Sequence, residues 1–133
     1  MKKHMTEFSE LKGKVVKDVT VNVDMNDDGD SILFECEDGT KYELCHSQEC
    51  CESVTIDNID GDLKSLIGNQ IVMAEDIHNN DDGPKDEEYD ESYTWSFYKL
   101  ATSKGYVTIR WYGASSGYYS ETADLYRIEE RED

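Results

Sequence analysis

Apolar and polar residues alternate along most of the first half of the chain. Valines at positions 15, 19, 21 and 23 stand among mostly polar neighbours, which is the period-two pattern of a half-buried strand. Residues 31–45 alternate on both sides of an Asp-Gly turn at 38–39, and this arrangement predicts a β-hairpin. Val54 with Ile56, and Ile71 with Met73 and Ile77, predict two further strands.

Two short stretches predict helical turns. Residues 6–13 offer Thr6 as an N-cap and Gly13 as a stop, after an irregular start over residues 1–5. Residues 60–68 begin with Asp60, space Leu63 and Leu66 on one side and end at Gly68.

The second half of the chain is rich in aromatic residues. Alternating strands are predicted over 93–100, 106–112 and 119–125, with turns at 102–105 and 113–117. Residues 93–126 therefore predict a three-stranded antiparallel meander. Residues 78–92 form a long acidic loop that holds the one proline.

These elements predict an α+β protein that is mostly antiparallel β. We expect a single small sheet domain over residues 1–133, with seven or eight strands, one or two short helices, an acidic insertion at 78–92 and a charged tail at 129–133. The predicted core consists of Val19, Val21, Leu33, Tyr42, Leu44, Val54, Ile56, Leu63, Leu66, Ile71, Met73, Trp95, Phe97, Val107, Ile109 and Trp111.

The charge balance restricts the partners. Thirty-one Asp and Glu face 13 Lys and Arg, which gives a net charge of -18. Nucleic acid and anionic membranes are disfavoured as direct partners, because both are bound through cationic side chains. A basic protein surface or a cation is favoured, and solubility alone explains the same composition. The chain shows no apolar signal core, so we expect cytoplasmic residence and reduced cysteines.

A calcium-loop pattern lies at residues 24–35. Asp24, Asn26, Asp28 and Glu35 match the oxygen-ligand positions of the EF-hand loop. The segments on either side of this pattern predict strands rather than the helices of an EF-hand, and an Asn/Asp/Gly-rich turn accounts for the same residues. No cofactor is therefore expected, with calcium as the alternative.

Cysteine and histidine cluster at residues 45–51. Cys45, His46, Cys50 and Cys51 are of the types that bind zinc, but adjacent residues on a strand point to opposite faces. Core cysteines with a hydrogen-bonded His46 are favoured; a disulfide from Cys36 stays an alternative. A thiol enzyme would use Cys50 and His46, oriented by Glu52. The chain lacks a recognisable oxyanion or phosphate loop, so enzyme activity is not predicted.

Several motifs resemble a family of small uncharacterised phage and prophage proteins. They are H-x-Q-x-C-C-E-x-V at 46–54, I-x-G-D-L at 59–63, L-I-G at 66–68, A-E at 74–75, E-S-x-T-W-x-F-Y-K at 91–99, K-G-x-V-T-I-R-W-Y-G at 104–113 and G-Y-Y-S-E at 117–121. The resemblance spans about residues 30–125. It implies a phage genome as the setting and brings no established activity.

Acidic and tyrosine side chains together predict a contact surface. The expected partner-binding residues are Asp81, Asp82, Asp86, Glu87, Glu88, Asp90, Glu91, Tyr112, Tyr118 and Tyr119. Carboxylates at this density imitate a phosphate backbone, and exposed tyrosines suit an interface. We expect a phage-encoded inhibitor of a host nuclease, CRISPR effector or restriction enzyme. The alternatives are a metal-binding β protein and the thiol enzyme.

Overall fold

Nine β-strands make up most of the structure. The computed structural model describes residues 2–23, 29–49, 51–79, 92–117 and 119–129. Within these ranges the strands are β1 Lys2–Thr6, β2 Val16–Asn22, β3 Ser31–Cys36, β4 Lys41–Cys45, β5 Ser53–Asp60, β6 Met73–Asn79, β7 Ser92–Thr102, β8 Gly105–Ser115 and β9 Asp124–Glu129. Two single 3-10 turns, Phe8–Leu11 and Leu63–Leu66, connect strands.

The strands form two antiparallel sheets. The first sheet has the order β1-β9-β4-β3-β2 and the second has the order β5-β8-β7-β6. The predicted hairpin over 31–45 is confirmed as β3 and β4, in which Phe34 pairs with Tyr42. Both of these side chains point inward, because every second residue of the two strands is buried.

The main core lies between the two sheets. It contains Phe8, Leu11, Val16, Ile32, Phe34, Tyr42 and Leu44 from the first sheet and its turn, and Val54, Leu66, Ile71, Tyr98, Leu100, Ile109 and Trp111 from the second sheet and its turn. A smaller aromatic cluster of Trp95, Tyr112 and Ala114, with Tyr93 and Phe97 against it, lies on the other face of β7 and β8.

The mostly antiparallel β architecture is confirmed, but the predicted helices are wrong. Each predicted helix is a four-residue 3-10 turn, and the described residues contain no α-helix. The turns bury Phe8 with Leu11 and Leu63 with Leu66, which are pairs three residues apart. A 3-10 turn has three residues per turn, so this spacing puts both apolar side chains on one side. Asp62 caps the second turn by accepting from the Lys64 N–H at 3.0 Å.

The prediction of one sheet with a meander over 93–126 is also wrong. β7 and β8 pair in the second sheet, but β9 lies between β1 and β4 in the first sheet. Residues 2–5, expected to be irregular, and Thr6, expected as an N-cap, form β1, which pairs with β9 from Lys2–Glu129 to Thr6–Leu125. The chain therefore crosses from one sheet to the other between β8 and β9, and residue alternation carries no information about that crossing.

Five predicted core residues are not fully buried. Leu33 and Phe97 are only partly buried because they lie on the outward faces of β3 and β7. Met73 is partly buried at the start of β6, and Val21 is 38% exposed on the edge strand β2. Ile56 packs partly buried against the core, and the other predicted core residues are buried.

Gly113 allows the crossing segment to reach the second sheet. A Cβ atom on Gly113 would lie 1.9 Å from the carbonyl oxygen of Glu121. Its backbone does not have a positive φ, so the conflict is one of space alone.

Among the described residues there is no helix with the length and apolar content that a membrane crossing requires.

We predict that Gly113→Ala lowers the free energy of unfolding by about 3 kcal/mol or more, because the methyl group overlaps backbone that cannot move independently. Gly117→Ala is the control, since its φ of +101° is strained but nothing lies within 4 Å of the new Cβ. We expect about 1 kcal/mol for the control. Urea unfolding of both variants measures the difference, and equal losses would contradict the close contact.

Candidate functional site

Within the described part of the chain, three carboxylates are buried where segments from the two sheets meet. Asp30 is 7% exposed, Glu52 is 4% exposed and Glu121 is 9% exposed. Burying a carboxylate is costly unless hydrogen bonds satisfy it. Asp30 and Glu121 accept hydrogen bonds from other strands. Glu52 accepts from its own loop, and its partner His46 connects that loop to Thr122.

Glu52 forms a buried pair with His46. The Nε2 atom of His46 lies 2.9 Å from Oε2 of Glu52, and Nδ1 lies 2.9 Å from the carbonyl oxygen of Thr122. A carbonyl oxygen only accepts, so Nδ1 carries a proton. Nε2 faces a carboxyl oxygen, so a second proton lies in that contact. The side chains are 5% and 0% exposed, so this hydrogen bond is shielded from water.

The same carboxylate organises the loop that precedes β5. The Gln48 side-chain amide donates to the Glu52 carbonyl oxygen at 2.5 Å and to Oε1 at 3.2 Å. The backbone N–H of Glu49 donates to Oε2 at 3.0 Å. The spacing of His, Gln and Glu in the first motif is therefore explained by three donors that surround one carboxylate.

Glu121 connects the crossing segment to the second sheet. Thr94 Oγ1 of β7 donates to Oε1 at 2.8 Å, and Ser115 Oγ of β8 donates to Oε2 at 2.6 Å. The Glu121 backbone is the one that packs on Gly113. Glu121, the last residue of the G-Y-Y-S-E motif, therefore contacts Gly113, the last residue of the K-G-x-V-T-I-R-W-Y-G motif.

Asp30 covers an exposed strand edge. Its Oδ2 accepts from the backbone N–H of Ile56 at 2.7 Å. β5 is the edge strand of the second sheet, so no strand of the described residues pairs with this amide on that side. Asp30 immediately precedes β3, and the bond therefore links the first sheet to the open edge of the second.

A groove with acidic walls lies beside β1, β6 and β9. Its volume is about 480 Å³, and Glu7, Asp76, Tyr98 and Asp124 contribute its polar groups. Burial raises the pKa of Asp124, while nearby His46 and His78 act in the opposite direction. Burial also raises the pKa of Tyr98, whose hydroxyl donates to the Ala123 carbonyl oxygen. This groove suits cationic or neutral groups better than anions.

A family described as "Domain of unknown function (DUF7448)" matches residues 9–125. The chain belongs to this family. No curated protein and no solved structure matches it. The matched range contains all three buried carboxylates, so the contacts of Asp30, Glu52 and Glu121 lie within the DUF7448 domain.

The cysteine and histidine residues of this DUF7448 domain are not brought together as metal ligands. Both ring nitrogens of His46 face acceptors of the protein itself. Burial raises the pKa of the Cys45 thiol to about 12, so it is not the thiolate that zinc or a nucleophilic mechanism needs. Cys36 is a buried thiol, Cys51 is exposed, and Cys50 lies outside the described residues. Within the described ranges no three His, Cys, Asp or Glu residues are grouped as a metal site.

One contact supports the thiol-enzyme hypothesis, but the burial of that contact opposes it. Glu52 does bond the imidazole of His46, as that hypothesis required. The pair is buried, however, and both nitrogens are engaged. A substrate would have to displace protein contacts to reach the ring. The geometry therefore assigns His46 and Glu52 a structural role.

The predicted calcium ligands are mostly outside the described structure. Asp24, Asn26 and Asp28 fall outside the described residues. Glu35 lies on β3, with one carboxyl oxygen 3.9 Å from Lys41 Nζ. The flanking segments are the strands β2 and β3, as the sequence predicted, and not the helices of an EF-hand.

The predicted partner-binding tyrosines differ in their placement. Tyr112 is 9% exposed, so its expected role as an exposed anchor is wrong. It packs on Trp95 with ring centroids 4.7 Å apart, because the two residues are cross-strand neighbours on β7 and β8. Tyr119 is partly buried. Tyr118 and the acidic residues 81, 82, 86, 87, 88, 90 and 91 lie outside the described residues.

Sequence reasoning missed Asp30, Glu121 and Asp124 as site residues. Glu121 was visible as the last residue of the G-Y-Y-S-E motif, but its partners Thr94 and Ser115 lie more than five residues away in sequence. Asp30 was assigned to a turn, since its acceptor role depends on the non-local approach of β5. Asp124 showed no sequence signal, because its environment comes from the fold.

We predict strong coupling between His46 and Glu52. Either His46→Ala or Glu52→Ala leaves a buried polar partner unsatisfied, so each should lower the free energy of unfolding by about 3–5 kcal/mol. In the double variant the loss should fall short of the sum by at least about 1 kcal/mol. Urea unfolding of the four proteins completes the cycle; strictly additive losses would show that the two side chains do not interact.

Proposed function

We propose that this DUF7448 protein is an acidic binding module that docks on the basic surface of a nucleic-acid-binding protein and blocks its nucleic-acid site. The observation that carries the proposal is the excess of 31 acidic over 13 basic residues. A surface of this charge attracts the cationic groups that otherwise bind phosphates, which favours rapid and selective encounter.

The described ion pairs strengthen this electrostatic argument. Lys14 lies 2.8 Å from a carboxyl oxygen of Asp38, and Arg127 lies 3.4 Å from one of Glu129. Lys3, Lys41 and Arg110 also lie beside carboxylates of the protein. These cations are neutralised internally, so a partner meets the remaining acidic side chains. Glu37, Asp60 and Glu75 are among the exposed ones.

The resemblance to phage and prophage proteins suggests the biological setting. In that setting the protein acts in the cytoplasm of the host cell, and its target is a defence protein such as a CRISPR effector or a restriction enzyme. The acidic residues between β6 and β7 are the proposed charge contacts. Tyr118 and Tyr119 are the proposed apolar anchors. Tyr112 is not included among them because it is buried.

The test is competition for the nucleic-acid site of candidate host nucleases. We expect the protein to displace labelled DNA or guide RNA, and to do so less well as salt rises from about 50 to about 500 mM, because the Debye length falls from about 14 to about 4 Å. Failure to displace nucleic acid from any candidate, at low salt, would contradict the proposal.

A charge-matched pair of variants tests the acidic segment. The first variant changes Asp86, Glu87, Glu88, Asp90 and Glu91 to the corresponding amides. The control changes the exposed Glu7, Glu37, Glu49, Asp60 and Glu75 in the same way. Both variants gain the same charge, so weaker inhibition in the first alone locates the contact. Equal effects would mean that net charge acts without a defined surface.

A further inference from the structure

The edge strand β2 borders a groove that follows its backbone. The groove has a volume of about 640 Å³ and is lined by four consecutive residues of β2, from Asp18 to Val21, together with Ile59 of β5 and Asp62 to Lys64. Consecutive residues of a strand point to opposite faces. A groove that touches all four therefore runs along the strand's edge, where backbone hydrogen-bonding groups are found.

This edge has donors directed away from the sheet. β2 pairs with β3 on one side. On its other side Val16 bridges Ile67, and from Asp18 to Asn22 no strand of the described residues pairs with it. The Val19 N–H donates to Oδ1 of Asp18, its own neighbour, at 3.0 Å. Amides alternate in direction along a strand, so the Val21 N–H points toward the same free side. A carbonyl of an added strand could accept from the Val21 N–H, and a second carbonyl could replace Asp18 Oδ1 as the acceptor of the Val19 N–H.

The groove combines this edge with apolar surface and acidic ends. Val21 is 38% exposed, and Ile59 is partly buried beside it. Asp18 and Asp62 each use Oδ1 to bond a backbone N–H, which leaves Oδ2 facing other directions. Lys64 is the one cation along the described lining. The groove thus offers backbone pairing, alternate apolar contacts and two carboxylates.

Charge selects among the possible occupants. A second copy of this chain would bring another net charge of -18 to the same edge, which opposes pairing between copies. A cationic segment would be attracted by the whole molecule and by Asp18 and Asp62 in particular. Strand addition at an exposed edge takes affinity from main-chain bonds and specificity from alternate side chains.

We propose that the free edge of β2 binds an extended Lys- or Arg-rich segment of the partner protein as an added strand. The inference rests on the proposed function in one respect, namely that the partner is basic. It adds the mode of binding and a surface separate from the acidic segment between β6 and β7.

A labelled peptide of alternating Lys and Thr is the probe, and fluorescence anisotropy with the full chain measures its binding. The comparison peptide carries an N-methyl group on every residue, so it keeps every side-chain charge and loses all of its backbone N–H donors on both strand edges. We expect the methylated peptide to bind about tenfold more weakly, since main-chain bonds contribute beyond charge. Equal binding of the two peptides would overturn the proposal.

Variants of the protein locate the site. Val21→Pro removes the outward amide and leaves the β3 pairing, and edge strands tolerate proline; we expect about a tenfold loss. Asp18→Asn with Asp62→Asn keeps both backbone caps and removes two charges, for which we expect a loss of about three- to tenfold. The charge control is Glu37→Gln with Glu75→Gln, which are exposed and away from the groove. If Val21→Pro fails to fold, the Asp18→Asn with Asp62→Asn variant and the methylated peptide still test strand addition at β2.

The outcomes separate this inference from the proposed function. Peptide binding that Val21→Pro weakens supports strand addition even if no nucleic acid is displaced from any nuclease. Displacement of nucleic acid that is unchanged in Val21→Pro and in Asp18→Asn with Asp62→Asn would overturn strand addition and leave the proposed function standing. Self-association abolished by Val21→Pro, without peptide binding, would identify a second copy as the occupant and would also overturn the inference.

Discussion

A carboxylate buried between two sheets must receive hydrogen bonds, and in this fold those bonds, directly or through one further residue, connect segments that are distant in sequence. Glu52 is satisfied by His46, Gln48 and the Glu49 amide, and His46 in turn fixes the Thr122 carbonyl. Breaking such a pair leaves an uncompensated buried charge. The position of the crossing segment, and through it the placement of β9 in the first sheet, depends on these contacts.

The acidic composition therefore has two physical effects. Inside the protein, Asp30, Glu52 and Glu121 accept bonds from Ile56, His46, Thr94 and Ser115, and so join elements that do not pair as strands. Outside, unpaired carboxylates give a surface that repels nucleic acid and further copies of the chain and attracts cations. The acid-lined edge of β2 and the acidic segment after β6 are two places where a basic partner could be held.

Local features of the fold were predictable, and its long-range pairings were not. The hairpin at Asp38-Gly39 depends on neighbouring residues, so the sequence contains the information that specifies it. The turn at 63–66 is equally local, although its cap is Asp62 and not the predicted Asp60. The placement of β9 depends on the contact of Glu121 with Gly113, which are separated by eight positions and by a change of sheet. The sequence predicted Tyr112 as an interface residue because its neighbours are turn residues, but its cross-strand partner Trp95 buries it. His46 was singled out correctly as hydrogen-bonded, whereas its second partner, Thr122, could not be found without the fold.

Native-state hydrogen exchange at the Ile56 amide tests most directly whether buried carboxylates join the sheets. β5 is an edge strand, and an outward amide on an edge normally exchanges quickly through local fluctuations. Because Oδ2 of Asp30 accepts this N–H at 2.7 Å, we predict protection equal to that of central amides of β8 such as Ile109. Exchange of the Ile56 amide as fast as that of an exposed turn residue, with β8 still protected, would contradict the account.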